Sequence, residues 1–424
     1  MPDSLFRGAR LIDPASGLDR VGELLVRDGR IADLGGGLGV PDGAEVIEAD
    51  GCILCPGLVD MRASLGEPGF EYRETIASAA AAAAAGGVTA LACLPDSRPA
   101  IDDPALVRLL AARGEEIGSL TILPYGAVTR GCAGDTLAEL GLLHEAGAVG
   151  FSDGMRSIGP ARLMRHALSY ARGFAAMIVQ HPEEATLATG GAATEGALAT
   201  RLGLAGIPAA AEEIQIARDI SLARLTGGAV HFAHVSTAAS IRLIRVAKDE
   251  GLSVTCDTAP PYFYLNEMAI GDFRTYAKLS PPLRQESDRL AICVALADGT
   301  IDAIASDHQP RDADDKRLPF AEAAPGGAGL ATLLAVSLAL VHNGAVPLAR
   351  VIELITVGPA KLLGAPVGRL ASGAAADLCL FHPERAWQVV AGRLPGKAQN
   401  TPFDGRALEG QVQGTWKRGR RVFG

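Results

Sequence analysis

Apolar runs and amphipathic stretches alternate through the middle of the chain. Strand-like runs stand at CILCPGLVD, VTALACL, LTILPYG, VGFS, AAMIVQ, AVHFAHV, LSVTCD and IDAIAS. They lack the apolar-polar alternation of a half-exposed strand and read as strands buried on both faces. Helical stretches separate most of them: Ile76–Ala85, Ala105–Arg113, Leu137–Ala146, Ala161–Arg172, Ala209–Leu225 and Ser240–Asp249. Eight buried strands with intervening helices predict an α/β fold, a (β/α)8 barrel with insertions, over residues 56–362. The alanine run from Ala79 to Ala85 reads as a tightly packed helix, not a tether.

Both ends have a different texture. The segments ARLIDPASG, GELLVRDGRIADLG and AEVIEADG in residues 1–55, and AADLCLFHPE, WQVVAG and GQVQGTWKRGRRVFG in 363–424, pair short apolar runs with Gly/Asp turns. Two β-rich ends that each need a partner sheet predict one small composite β-domain built from both.

Composition narrows the function. With 48% apolar and 21% charged residues the chain has the material for a large core and is no disordered polymer. The net charge of −9 leaves no basic face for a polyanion, so nucleic-acid binding is not expected. The opening MPDSLFRGARLIDP has no apolar signal region, and no uninterrupted apolar run reaches the roughly 18 residues of a membrane span. A cytoplasmic protein is expected. Seven scattered cysteines, an odd number, argue against a disulfide framework, and the lone CxxC of Cys52 and Cys55 reads as buried strand residues.

Polar residues close the apolar runs: Asp60, Asp96, Asp153, His181, His234, Asp257 and Asp307. These are the positions at which such a barrel places its chemistry, the C-terminal strand ends. His181, His234 and Asp307, two imidazoles and a carboxylate, form a candidate zinc set. Taken singly, a histidine at a strand end is more often a hydrogen-bonded core residue than a ligand. His231, three residues before His234, is expected on the opposite face by strand alternation and reads as structural. Arg284 in SPPLRQE could clamp a carboxylate, or be a solvated loop arginine. The Gly86–Gly87 pair precedes a strand and reads as a helix stop, not a phosphate cradle.

Beyond these local signals, the blocks GLVDMRASLGEPGFEYRETI, GGVTALACLP, TRLGLAGIPAAAEEI, HFAHVST, SPPLR, DGTIDAIASDHQPRD, LPFAEAAPGGAGL and NTPFDGRALEGQV resemble, in order, the bacterial type I dihydroorotases of the amidohydrolase superfamily. The resemblance implies the amidohydrolase type of barrel and ordinarily a zinc hydrolase that closes N-carbamoyl-aspartate to dihydroorotate. In that family the first strand ends in His-x-His; the matching positions here are Arg62 and Ser64. Arginine is a permanent cation without a lone pair to donate, so it opposes a divalent ion.

The family's Asp-Asp-Gly aligns with FSDGM, so that Asp153 matches the first aspartate and Gly154 stands at the second; a one-residue shift would let Asp153 serve. His181 and His234 match the other metal's histidines, and Asp307 matches the ligand and general base. His181, His234, Asp307 and Asp153 thus form a remnant metal set, expected to be unoccupied. On the substrate side the family's Arg, Asn and Asn are Gly66, Asp96 and Ser280, while Arg284 and the retained His308 are vestigial substrate contacts. A cation and a carboxylate left facing each other predict an Arg62–Asp307 ion pair.

Two readings follow. In the first, the chain is a non-catalytic dihydroorotase homologue without a cofactor, kept as an assembly partner of aspartate transcarbamoylase in a homodimer or larger hetero-oligomer. In the second, it is an active cyclic amidohydrolase with a mononuclear zinc at His181, His234 and Asp307, acting on dihydroorotate or another cyclic ureide such as a hydantoin or allantoin.

Overall fold

The computed structural model describes residues 3–424. Its centre is a barrel of parallel strands. A three-stranded sheet contains Leu58–Ala63, Val88–Cys93 and Thr121–Pro124; a six-stranded sheet runs from Gly126–Ala127 through Phe151–Ser152, Met177–Gln180, Ala229–Phe232 and Val254–Thr258 to Ala303–Ile304. Thr121–Pro124 and Gly126–Ala127 are one strand interrupted at Tyr125, which joins the two sheets. The ring closes at the rim, where Ser64 N–H donates to His308 O at 2.9 Å and His308 N–H to Arg62 O at 3.3 Å.

Helices cover the barrel because their apolar positions recur on one face. In Ala161–Arg172 the buried residues are Met164, Ala167, Leu168 and Ala171, the i, i+3, i+4, i+7 stripe of an amphipathic helix. Ile76–Ala85 starts at a capping box in which Thr75 and Ser78 satisfy each other's backbone N–H, and its small alanines let the helix lie close to the strands. The helix expected over Leu137–Ala146 is shorter, Leu140–Glu145, because Leu137 is instead engaged in a β-bridge with Thr129.

The two ends of the chain share one eight-stranded sheet. Ile53–Pro56 pairs with Ser4–Asp13 on one side and with Leu378–Gln388 from the C-terminal segment on the other. Its core holds Phe6, Leu11, Leu24, Ile31, Leu378 and Trp416, with Phe6 and Trp416 edge to face at 4.8 Å. The run CILCPGLVD, read from sequence as one barrel strand, is therefore two strands. Ile53–Pro56 stays in the small sheet, Pro56 removes a backbone donor, Gly57 N–H bonds Asp377 O, and the chain enters the barrel at Leu58. Cys55 is a buried strand residue opposite Cys379, whereas Cys52 is only half-buried and precedes the strand; the seven cysteines are free. No helix among the described residues is long and apolar enough to cross a membrane.

Candidate functional site

The barrel mouth is filled by an ion pair. Arg62, on the first strand, is 1% exposed and donates Nε to Asp307 Oδ1 at 2.9 Å, the pairing expected from their charges. The same guanidinium donates Nη2 to Gly154 O at 3.0 Å and lies 3.0 Å from Met155 Sδ, while Nη1 is buried without a partner. Burial pushes the Asp307 carboxyl above the usual range, and Arg62 pulls it back. Asp307 has φ +47° and His234 φ +40°, left-handed conformations that a non-glycine residue adopts at a cost of about 1–3 kcal/mol. In both, the backbone leaves the strand's regular alternation at the rim.

His181 and His234 meet each other. His181 Nδ1 and His234 Nε2 are 3.1 Å apart with the rings tilted by 48°, so one ring's proton occupies the other's lone pair. Glu183 Oε1 lies 3.6 Å from His181 Nε2 and Ser280 Oγ lies 3.5 Å from it. Burial, then Arg62 and His181, hold His234 well below the usual histidine range, and its Nδ1 has no partner.

The His231 ring is held apart from this pair, with Nδ1 2.8 Å from Thr255 Oγ1 and Nε2 3.0 Å from Asp257 Oδ2, while the other oxygen of Asp257 accepts the backbone N–H of His234 at 2.6 Å. One sequence expectation is corrected beside them. Asp153 does not join the remnant metal set. Its carboxylate accepts Thr129 N–H at 2.9 Å and Thr129 Oγ1–H at 2.5 Å, and burial raises its pKa against those bonds.

The other positions at which the resemblance implies a change are closed by packing. Ser64 Oγ donates to Asp96 Oδ2 at 2.6 Å and lies 3.2 Å from Gln309 Oε1. Gly154 has φ +67°, and a Cβ there would lie 3.1 Å from Asp96 Cβ, so no carboxylate is accommodated without movement. Gly66, φ +71°, is tighter still: an added Cβ would lie 2.4 Å from Glu74 O.

Arg284 is neither a solvated loop residue nor a free clamp. It is 4% exposed and donates Nε to Ser236 Oγ and Nη1 to Thr194 Oγ1, both at 3.0 Å, with Glu212 Oε2 3.7 Å from Nη2. His308, carried over as a substrate contact, instead accepts Gly329 N–H on Nδ1 at 3.2 Å and has Nε2 3.5 Å from Glu74 Oε2. Asp60 staples the first and last strands: it accepts Ser306 N–H at 2.8 Å, and burial pushes it up to about 6. Sequence reasoning passed over three participants: Thr129, which captures Asp153; Met155, against Arg62; and Glu74, which also accepts Lys397 N–H at 3.1 Å. Glu74 stood in the quoted block GEPGFEYRETI and Met155 in FSDGM, but neither was given a role.

The profile of the family described as Dihydro-orotase-like matches residues 51–240. A protein named dihydroorotase from Pelobacter propionicus is 46% identical over 419 residues, 99% of both chains. The chain belongs to the dihydroorotase-like family. Another relative of that name, from Geobacter sulfurreducens, is 45% identical over 406 residues and 96% of each chain. Among solved structures, L-hydantoinase from Arthrobacter aurescens superposes with a TM-score of 0.87 at 26% identity, covering 100% of this chain and 96% of its own. A dihydropyrimidinase from Brevibacillus agri, at 23% identity and a TM-score of 0.83 over 99% of this chain and 95% of its own, supports the amidohydrolase barrel alone.

A zinc ion of the kind this family implies does not fit the residues present. Asp307 is neutralised by a buried guanidinium, the two imidazoles use nitrogens on each other, and Asp153 is turned to Thr129. Among the described residues no three His, Cys, Asp or Glu side chains stand together as a metal-holding group. Placing a divalent cation beside Arg62 would set like charges together in a low-dielectric site.

Proposed function

We propose that this chain is a non-catalytic, dihydroorotase-like protein of pyrimidine biosynthesis that serves as an assembly partner of aspartate transcarbamoylase. The observation that carries the loss of catalysis is Arg62 bonded to Asp307 at 2.9 Å in the place where the family holds its first metal. Hydrolysis of a cyclic amide needs activated water, whose pKa a metal lowers from about 15.7 toward about 7; a guanidinium tied to the general base does neither task. On the substrate side Gly66 and Asp96 replace a cation and an amide, which removes attraction for an anionic substrate and adds repulsion.

What supports an assembly role is the contrast between site and scaffold. Identity of 46% runs over 99% of the chain and both the barrel and the composite sheet are complete, while the mouth holds Arg62 on Asp307. The test is paired: dihydroorotate turnover in both directions with Zn2+, Co2+ or Mn2+ added, and size-exclusion chromatography with aspartate transcarbamoylase from the same source. We expect no turnover above the enzyme-free rate and co-elution as a hetero-oligomer. Turnover would return the mononuclear zinc reading at His181, His234 and Asp307, and a screen of hydantoins and allantoin would then identify its substrate. Separate elution would remove the partner.

A further inference from the structure

Beyond the family's metal and substrate positions, a cleft of about 250 Å3 opens at the rim between the turn holding Tyr72 and Arg73, the stretch from Arg311 to Lys316, and the C-terminal segment at Lys397 and Asn400. None of its lining residues is a position that the resemblance assigns to metal or substrate. Arg73 and Arg311 also line a cavity of about 40 Å3 above Ser64, Asp96 and Gln309, so the two guanidinia stand where the spaces meet.

Arg73 is held in place but not used up. Its guanidinium lies 5.0 Å from the Phe70 ring centroid and 5.1 Å from that of Tyr72, and Nη2 is 3.3 Å from Asp315 Oδ2. Its Nε is buried with no hydrogen-bond partner. Arg311 donates Nε to Pro325 O at 2.8 Å and makes no ion pair among the described residues. Burial and the charge of Arg73 pull it below the usual guanidinium range. Behind it Lys316, 5% exposed, places Nζ on the carbonyls of Ala324, Thr275 and Lys278; burial, then Arg311 and Lys278, bring it down to about 7. Gln309 is 2% exposed, and its Nε2, in the smaller cavity, also lacks a partner.

Arg73, Arg311, Lys316 and Lys397 thus line the cleft with one lining carboxylate, Asp312, while Asp315 pairs with Arg73 and Asp96 lies in the smaller cavity; unpaired donors remain at Arg73 Nε and Gln309 Nε2. Such an arrangement costs free energy until an anion enters. A planar carboxylate satisfies one guanidinium fork, whereas a tetrahedral dianion accepts from donors on two sides. Tyr72 and Tyr276 line the wider space and offer ring faces to an organic group.

We propose that this cleft binds a phosphate monoester, its phosphate between Arg73 and Arg311 and its organic part against Tyr72 and Tyr276. The test is calorimetric titration of the intact chain at low salt with inorganic phosphate, AMP, UMP and succinate. We expect saturable binding of one nucleoside monophosphate per chain, weaker binding of inorganic phosphate, and none of succinate over the same range. Arg311→Gln is expected to weaken every phosphate ligand about tenfold or more. Because Arg311 also holds Pro325, a second variant at a half-buried ring of the cleft, Tyr276→Ala, keeps the test independent of that contact: it should weaken AMP and UMP and leave inorganic phosphate unchanged. No saturable phosphate binding at millimolar concentration, succinate binding as well as phosphate, or unchanged affinity in Arg311→Gln would overturn the proposal. The outcome is independent of whether the chain is catalytic.

Discussion

Arg62 and Asp307 come from the first and last strands of the barrel and meet at 2.9 Å with side chains 1% and 11% exposed. The pair therefore does two things. It joins the seam at which the barrel closes, and it sets a fixed positive charge at the position that the resemblance assigns to the first metal. Charge pairs buried this deeply contribute little net stability, but losing one partner strands the other.

Removing one partner should be far more damaging than removing both. Asp307→Asn leaves the Arg62 cation uncompensated, and urea unfolding should show a loss of about 3–5 kcal/mol. The double replacement Arg62→Met with Asp307→Leu should recover most of that loss. Equal destabilisation by the single and double variants would mean that the two residues act independently.

The amount of this that could be read from sequence varied by residue. The barrel strands were legible because their runs are buried on both faces, and the Arg62–Asp307 pair because the resemblance placed a cation where a carboxylate had lost its metal. The contact between the His181 and His234 rings was not, since the rim backbone at His234 has φ +40° and leaves the strand's regular alternation. Nor were the fates of Asp153 and Arg284, whose partners Thr129, Ser236 and Thr194 are set by tertiary contacts across loops. The run CILCPGLVD misled because one continuous apolar stretch serves two sheets in succession.

Asp60 should leave a pH signature. Its folded-state value of about 6 lies above the unfolded carboxylate value of 3.8, so the folded chain binds the proton more tightly. Its contribution is present in full below the unfolded value and is lost as pH rises through about 6, on the order of 3 kcal/mol in all. The stability of the wild type relative to Asp60→Asn, measured by urea unfolding, should therefore fall across that window. A constant difference from pH 4 to pH 7 would contradict the assignment.

His234 should behave in the opposite sense. Burial and the Arg62 charge depress its folded-state pKa, so stability from this residue is present above the ordinary histidine value of about 6.5 and is lost as pH falls. Nitrogen NMR should find the ring neutral at pH 6. Arg62→Met should raise the pKa, and an unchanged titration in that variant would show that Arg62 has no influence on the ring.

Restoring the two histidines alone should not restore an enzyme. Arg62→His with Ser64→His removes the cation and supplies two imidazoles, so zinc affinity should appear. Turnover of dihydroorotate should stay at background because Gly66 has no room for a side chain and Asp96 repels an anion. Measurable ring opening by this variant would show that the substrate side had remained intact.

The most direct measurement is the metal content of the purified chain by inductively coupled plasma mass spectrometry, after dialysis against buffer containing zinc and then against metal-free buffer. With Arg62 seated on Asp307, zinc should remain far below stoichiometric. One or two zinc ions retained per chain, with Arg62→Ala no different from the wild type, would contradict the claim that this arginine has taken the metal's place.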